Sequence, residues 1–125
     1  SRDWGFAGDY VEGMWQMMQH DNPEEWVLAT GKSITVKEFV ELAFKYVDLE
    51  PEQYIKTSDR YFRPNEVEFL LGDSSKAKEE LNWEAKTDID TLVKLMVDSD
   101  LNLAKREQIL LKENLIKPTW ENPTT

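Results

Sequence analysis

The sequence contains no cysteine and a single histidine among its 125 residues. Disulfide bonds and zinc sites built on thiolates are therefore excluded, and we expect no metal site. Basic residues are also few, since 15 lysines and arginines face 25 aspartates and glutamates, for a net charge of −10. A surface this acidic repels nucleic acids and anionic lipids, so we expect no nucleic-acid partner and no membrane partner.

Long apolar runs are missing as well. No stretch of 18 apolar residues is present that could span a membrane, and the opening Ser1-Arg2-Asp3-Trp4 does not resemble a secretory leader. Together with the lack of cysteine, these absences predict a cytoplasmic protein. The hydrophobic content of 40% is nevertheless sufficient for a core. The length fits one small domain or a piece of a larger one.

The first half of the sequence predicts a helix, a buried strand and a second helix. Asp9 is expected to cap the first helix, which should end near His20, and His20 then favours the helix dipole. Residues 26–30 are typical of a strand buried on both faces, and Thr35-Val36-Lys37-Glu38 is a capping box. The first helix carries one apolar stripe, formed by Val11, Met14, Trp15 and Met18.

This order of elements indicates the tail of an α/β sheet whose remaining strands are missing, because one strand cannot form a sheet. We therefore expect the apolar faces of the helix at 10–20 and the strand at 26–30 to be exposed or covered by a partner. The second half predicts a polar loop over 48–60, a short strand over 66–71, a helix over 76–81 and a helix from Thr87. Periodicity weakens after Arg106, so residues 1–107 are interpreted as the folded part and 108–125 as a loosely ordered tail.

Residues 60–73 form the most chemically distinctive run. Pro64 fixes its own φ and biases Arg63 towards an extended backbone, which can bring Glu66 near the arginine. A guanidinium and a carboxylate on such a corner suit a ligand with phosphate and hydroxyl groups. The alternative is an ordinary surface pair of Arg63 and Glu66 in a loop, which would contribute little.

Several short motifs follow one another in a recognisable order and spacing. They are Arg2-Asp3-Trp4-Gly5, Asp9-Tyr10-Val11-Glu12, Met14-Trp15, Ala29-Thr30-Gly31, Tyr61 to Glu68, Gly72-Asp73, Lys76-Ala77-Lys78, Leu81-Asn82-Trp83, Leu92-Val93, Met96-Val97 and Asp100. In this order they resemble the C-terminal part of the GDP-mannose 4,6-dehydratases, which are extended short-chain dehydrogenases/reductases. The resemblance covers residues 2–107, and Phe6 and Ala85 depart from it at positions without assigned chemistry.

The resemblance implies the mostly helical C-terminal part of a Rossmann-type α/β enzyme, with one or two short strands and without the dinucleotide-binding portion. It implies conversion of GDP-mannose to GDP-4-keto-6-deoxymannose by a lyase with NADP as cofactor, in a homo-oligomer. Carried over by motif, Arg2 and Arg63 would bind the diphosphate, and Glu66 would accept a hydrogen bond from the guanosine ribose. Trp4 would support the loop behind Arg2.

The catalytic parts of that family are not found in this sequence. Its five glycines form no Gly-x-Gly-x-x-Gly motif, and no tyrosine is followed by a lysine four residues later. We therefore predict no catalytic and no cofactor-binding residue here, and an inactive isolated chain. Two alternatives remain open. One is a fragment of another GDP-sugar reductase or epimerase of the same fold, and the other is a non-catalytic acidic module of helices.

Overall fold

The computed structural model describes residues 1–58 and 67–117, and the chain divides into two compact units, Ser1–Lys94 and Leu95–Thr125. The helices are α1 (Ala7–Gln19), α2 (Val36–Tyr46), α3 (Ser75–Leu81) and α4 (Ile89–Lys112), with a 3₁₀ turn at Pro51–Gln53. The strands are β1 (Arg2–Asp3) and β2 (Ser33–Ile34). They pair antiparallel, with Arg2 opposite Ile34 and Asp3 opposite Ser33. The expected mostly helical character with one or two short strands is confirmed.

The two strands are not where the sequence predicted them. Residues 26–30 and the described residues 67–71 form no strand. The main chain of Thr30 is bonded to the side chain of Asp3 instead of a neighbouring strand, and segment 67–71 is bonded through its main chain to Ser1, by Leu70 at 3.2 Å and by Glu68. Strand formation requires a ladder of such bonds, and neither segment has one.

Helix α1 begins earlier than predicted. Phe6 is its N-cap residue, so the prediction that Asp9 caps the helix is wrong. Asp9 is only 7% exposed, and its Oδ2 accepts hydrogen bonds from the main-chain N–H groups of Lys86 and Thr87, at 3.1 and 2.9 Å. A buried carboxylate needs such partners, and here they come from a distant loop. The helix ends at Gln19 with His20 as its C-cap, as predicted.

The apolar stripe of α1 does not face the core. Four of its side chains are largely exposed: Val11 by 62%, Met14 by 57%, Trp15 by 64% and Met18 by 80%. The helix packs instead through Gly13, where an added Cβ would lie within 3 Å of Leu28 and of the Trp83 indole. The exposure predicted for this face is confirmed.

The core of the first unit is small. Among the described residues, its buried apolar side chains are Ala29, Ala77, Trp83, Leu92 and Val93. Trp83 is 2% exposed, and its indole N–H donates to the carbonyl of Asp9 at 2.8 Å, which ties the end of α3 to α1. Asn82 ends α3 in the left-handed conformation with φ of 52°, and this turn directs Trp83 back into the core.

The capping box of α2 is confirmed. The Thr35 hydroxyl accepts from the N–H of Glu38 at 3.1 Å, and the Glu38 carboxylate accepts from the N–H of Thr35 at 2.7 Å. Asp88 performs a similar function for α4, because its carboxylate accepts from the N–H of Thr91 at 2.9 Å. Helix α4 continues to Lys112, past the weakening of the apolar pattern. None of the described helices combines the length and apolarity that crossing a membrane requires.

Candidate functional site

Strand β1 carries the first of the predicted site residues. The Arg2 guanidinium donates through Nη1 to the carbonyl of Ser1 at 2.8 Å and to that of Val67 at 2.6 Å. These bonds hold the half-buried Arg2 side chain against the segment 67–72. In the sequence, Val67 directly follows Glu66, so Arg2 contacts the segment into which the run 60–66 continues.

Adjacent side chains of a strand point to opposite faces, and Asp3 contacts the Thr30–Gly31 turn as well as the far end of segment 67–72. Its Oδ1 accepts from the hydroxyl of Thr30 at 2.6 Å and from the N–H of Thr30 at 2.9 Å. Its Oδ2 accepts from the N–H of Gly31 at 3.0 Å and from that of Gly72 at 3.2 Å. One carboxylate therefore joins three segments that are distant in sequence.

These contacts favour the charged form of Asp3. Burial raises the pKa of its carboxyl group, but the hydrogen bonds from Thr30, Gly72 and Gly31 together lower it, and the net pKa lies below the ordinary value of 3.8. Asp3 is thus an anion at neutral pH, surrounded by donors.

Gly72 is required by the close approach of segment 67–72 to the loop before β2. A Cβ at this position would lie 2.2 Å from the Cβ of Ala29, a distance that real side chains do not tolerate. The main chain of Gly72 can therefore reach the Asp3 carboxylate only because Gly72 has no side chain. This close packing explains the glycine of the Gly72-Asp73 motif that belongs to the sequence resemblance.

A groove of about 320 Å³ lies between the segments that Asp3 joins, and its volume is within the range of small-molecule sites. Its lining includes Arg2, Tyr10, Leu28 and Leu70. Burial, with the nearby charges of Asp3 and Asp9, raises the pKa of the Tyr10 phenol, so Tyr10 is a neutral hydroxyl at neutral pH. The groove thus combines an apolar wall with one cationic, one anionic and one hydroxyl group, from Arg2, Asp3 and Tyr10.

Trp4 supports the strand pair rather than lining the groove. Its indole N–H donates to the carbonyl of Ile34 at 3.3 Å, and its ring stacks on Phe39 with centroids 4.5 Å apart. This anchors β1 to β2 and α2, a supporting role of the kind the sequence predicted.

Of the three predicted ligand-binding residues, the structure locates Arg2. Arg63 and Glu66 lie outside the described residues, so the proximity of Glu66 to Arg63 remains a prediction, as do the ligand-binding roles of all three residues. The sequence reasoning missed Asp3, Thr30 and Gly72 as a connected group. The signal was available, because Arg2-Asp3, Ala29-Thr30-Gly31 and Gly72-Asp73 are all among the motifs that carry the resemblance.

The chain was compared with known proteins. A family model described as GDP-mannose 4,6 dehydratase matches residues 1–96. The chain belongs to this family. GDP-mannose 4,6 dehydratase 1 of Arabidopsis thaliana is 56% identical over 110 residues, covering 88% of this chain and 30% of the relative.

Other family members are more distant. The GDP-mannose 4,6 dehydratase of Dictyostelium discoideum is 44% identical, covering 83% of this chain and 34% of its own length. That of Homo sapiens is 40% identical, covering 83% of this chain and 32% of its own length. The chain therefore spans about a third of the length of the curated relatives it matches.

In this GDP-mannose 4,6 dehydratase family member, the glycines are not placed to form the phosphate cradle that a dinucleotide requires. A phosphate cradle needs glycine main chain open to the ligand. Here an added Cβ would meet Tyr10 at Gly5, Phe6 at Gly8, Leu28 and Trp83 at Gly13, and Ala29 at Gly72, all within 3 Å. Gly31 is used for a turn with φ of 71°. The described residues thus contain no cradle for NADP.

Proposed function

We propose that this chain is part of an enzyme that converts GDP-mannose to GDP-4-keto-6-deoxymannose, and that it contributes residues that bind the GDP group. The family match over residues 1–96 is the observation that carries the proposal. The relatives bear the name GDP-mannose 4,6 dehydratase, and a shared segment of this identity supports a shared substrate.

The proposed roles follow from side-chain chemistry. Arg2 and Arg63 bind the diphosphate, because a guanidinium presents several donors in a fixed fork that matches phosphate oxygens. Glu66 accepts hydrogen bonds from the ribose hydroxyls. The position of Arg2 supports this assignment, because its guanidinium contacts Val67 and lines the 320 Å³ groove. In an overall charge of −10, the phosphate site depends on these few arginines.

The complete enzyme is proposed to be a cytoplasmic lyase that uses NADP and forms a homo-oligomer. This chain supplies neither a glycine cradle nor a tyrosine–lysine pair. On its own, therefore, it should neither bind NADP nor release a 4-keto product from GDP-mannose. Its contribution to the reaction is to hold the nucleotide part of the substrate.

A chimera tests the proposal directly. This chain replaces the matching region of the Arabidopsis relative, to which it is 56% identical. We expect the chimera to convert GDP-mannose to the 4-keto-6-deoxy product, detected by mass spectrometry, while the isolated chain shows no turnover. A folded chimera that does not bind GDP-mannose, or that yields an epimerised or reduced sugar instead, would show that the assignment is wrong.

A further inference from the structure

Asp3 is a carboxylate that the proposed substrate contacts do not use. It lies next to Arg2 on β1, yet it accepts four hydrogen bonds from the protein itself. Three of the four donors are the main-chain N–H groups of Thr30, Gly31 and Gly72. Partial burial of this anion costs desolvation free energy, which its four hydrogen bonds offset.

The bonds of Arg2 and Asp3 grip the two ends of one short segment. Arg2 bonds to the carbonyl of Val67, and Asp3 accepts from the N–H of Gly72. Between them, the N–H of Leu70 donates to the carbonyl of Ser1 at 3.2 Å, and the Ser1 amino group donates to the carbonyl of Glu68. The segment 67–72 forms no strand with β1, so these few bonds, rather than a ladder, set its position.

We propose that Asp3 is a positioning residue for the nucleotide-sugar site, holding segment 67–72 against the Thr30–Gly31 turn so that the groove lined by Arg2 keeps the shape that receives the substrate. The inference rests on the proposed function, because it concerns the same site. Asp3 does not touch substrate in this role. It sets the position of β1, which carries Arg2, relative to segment 67–72.

Two features make Asp3 suited to this task. Its carboxylate has two oxygens, and each is used, one by Thr30 and the other by Gly31 and Gly72 together. An asparagine keeps only one oxygen, and its amide group would direct hydrogens at main-chain N–H donors. Asp3→Asn therefore preserves shape while breaking the junction, which makes it the informative substitution.

The test uses the full-length chimera, with KM and kcat measured for GDP-mannose and unfolding followed thermally. For Asp3→Asn we expect KM to rise on the order of tenfold, with kcat changed by less than about threefold, because substrate positioning is lost and the reacting groups are untouched. Thr30→Val removes only one of the four donors and should raise KM by about threefold. If Asp3→Asn does not fold, the KM of Thr30→Val tests the positioning role instead.

Asp9→Asn is the matched control. Asp9 is also a buried carboxylate that accepts from two main-chain N–H groups, but these belong to Lys86 and Thr87 rather than to the 67–72 segment. It should lower the unfolding temperature and leave KM unchanged. If Asp3→Asn and Thr30→Val behave in the same way, or lower kcat alone, the positioning role is overturned. A wild-type chimera without GDP-mannose turnover would overturn the proposed function, and this role with it.

Discussion

Two aspartates near the start of the chain hold main-chain groups that are far away in sequence. Asp3 joins Thr30, Gly31 and Gly72, and Asp9 joins α1 to the loop before α4. Both carboxylates accept hydrogen bonds from N–H groups that have no partner within a strand or a helix. Buried polar groups require such partners in place of water. At the scale of single residues, the described part of the first unit is therefore connected by carboxylates as well as by its small apolar core.

Asp3 should make stability depend on pH. Its carboxyl pKa lies below 3.8, so the folded state releases this proton more readily than the unfolded state does. The resulting stabilisation is present above the unfolded-state pKa and is lost as the pH falls through the folded-state pKa. Urea unfolding of wild type and Asp3→Asn should give free energies of unfolding that converge as the pH is lowered from about 7 to about 3. A difference that stays constant over this range would contradict the prediction.

In the chimera, the shape of the Arg63 guanidinium should matter for GDP-mannose affinity in addition to its positive charge. If it binds the diphosphate through both prongs of its guanidinium, lysine cannot reproduce the fork, so Arg63→Lys should resemble Arg63→Ala. Losing one partner of a desolvated charged hydrogen bond costs on the order of 2–5 kcal/mol, so calorimetry should show GDP-mannose affinity falling by roughly thirtyfold or more. Arg60→Ala is the control and should stay within about 0.5 kcal/mol of wild type. A damaging Arg60→Ala with a silent Arg63→Ala would mean that the phosphate is assigned to the wrong arginine.

Glu66 should contribute less than Arg63. Glu66→Gln keeps the shape and one acceptor, so the loss of binding free energy should be about 1–2 kcal/mol. The loss should be felt most for ligands with an intact ribose diol. Titrating GDP-mannose and a 2′,3′-dideoxy analogue into both forms measures this difference. An equal loss of binding free energy for the two ligands would show that Glu66 does not bind the ribose.

At the scale of elements, local signals gave the helices and failed for the strands. The capping box at Thr35 and the end of α1 near His20 depend on residues within one turn, and both are as predicted. The strand predicted at 26–30 depended on a partner, and its main chain is bonded to Asp3 instead. Much of the candidate site escaped sequence reasoning for the same cause, since the partners of Asp3 lie 27 and 69 residues away.

The Thr35 cap should stabilise α2 measurably. Thr35→Ala removes the side-chain oxygen that accepts from the N–H of Glu38, which should lower the free energy of unfolding by about 1 kcal/mol. Ser74→Ala is the matched control, because Ser74 is the N-cap residue of α3 but makes no side-chain cap bond. Its effect should be within about 0.5 kcal/mol. Chemical unfolding of the three proteins checks the comparison, and equal effects at both caps would refute it.

At the scale of the whole molecule, the exposed apolar face of α1 is the dominant feature of the first unit. Four of its side chains are more than half exposed: Val11, Met14, Trp15 and Met18. A contiguous apolar surface of this kind promotes association in water. The chain of 125 residues, studied alone, should therefore associate as its concentration rises.

Light scattering at several concentrations tests this expectation. Met18→Lys places a charge on the apolar face and should reduce the apparent mass at high concentration, while Gln19→Lys adds the same charge to a neighbouring exposed polar position and should not. A wild-type chain that remains monodisperse and monomeric at every concentration would contradict the prediction.

The family and the helices were readable in the sequence because short motifs, caps and periodic stripes are local, and local patterns survive without knowledge of their partners. The sequence also showed the acidic composition, the absence of a Gly-x-Gly-x-x-Gly motif and the place of Arg2 in its motif. Folding alone decided that α1 packs through Gly13, because a stripe shows which face is apolar and does not show which residues of the helix approach the core. Folding also turned Asp3 and Asp9 from ordinary acidic residues into junctions, since a carboxylate acquires that function only when distant N–H groups are brought within 3.2 Å of its oxygens.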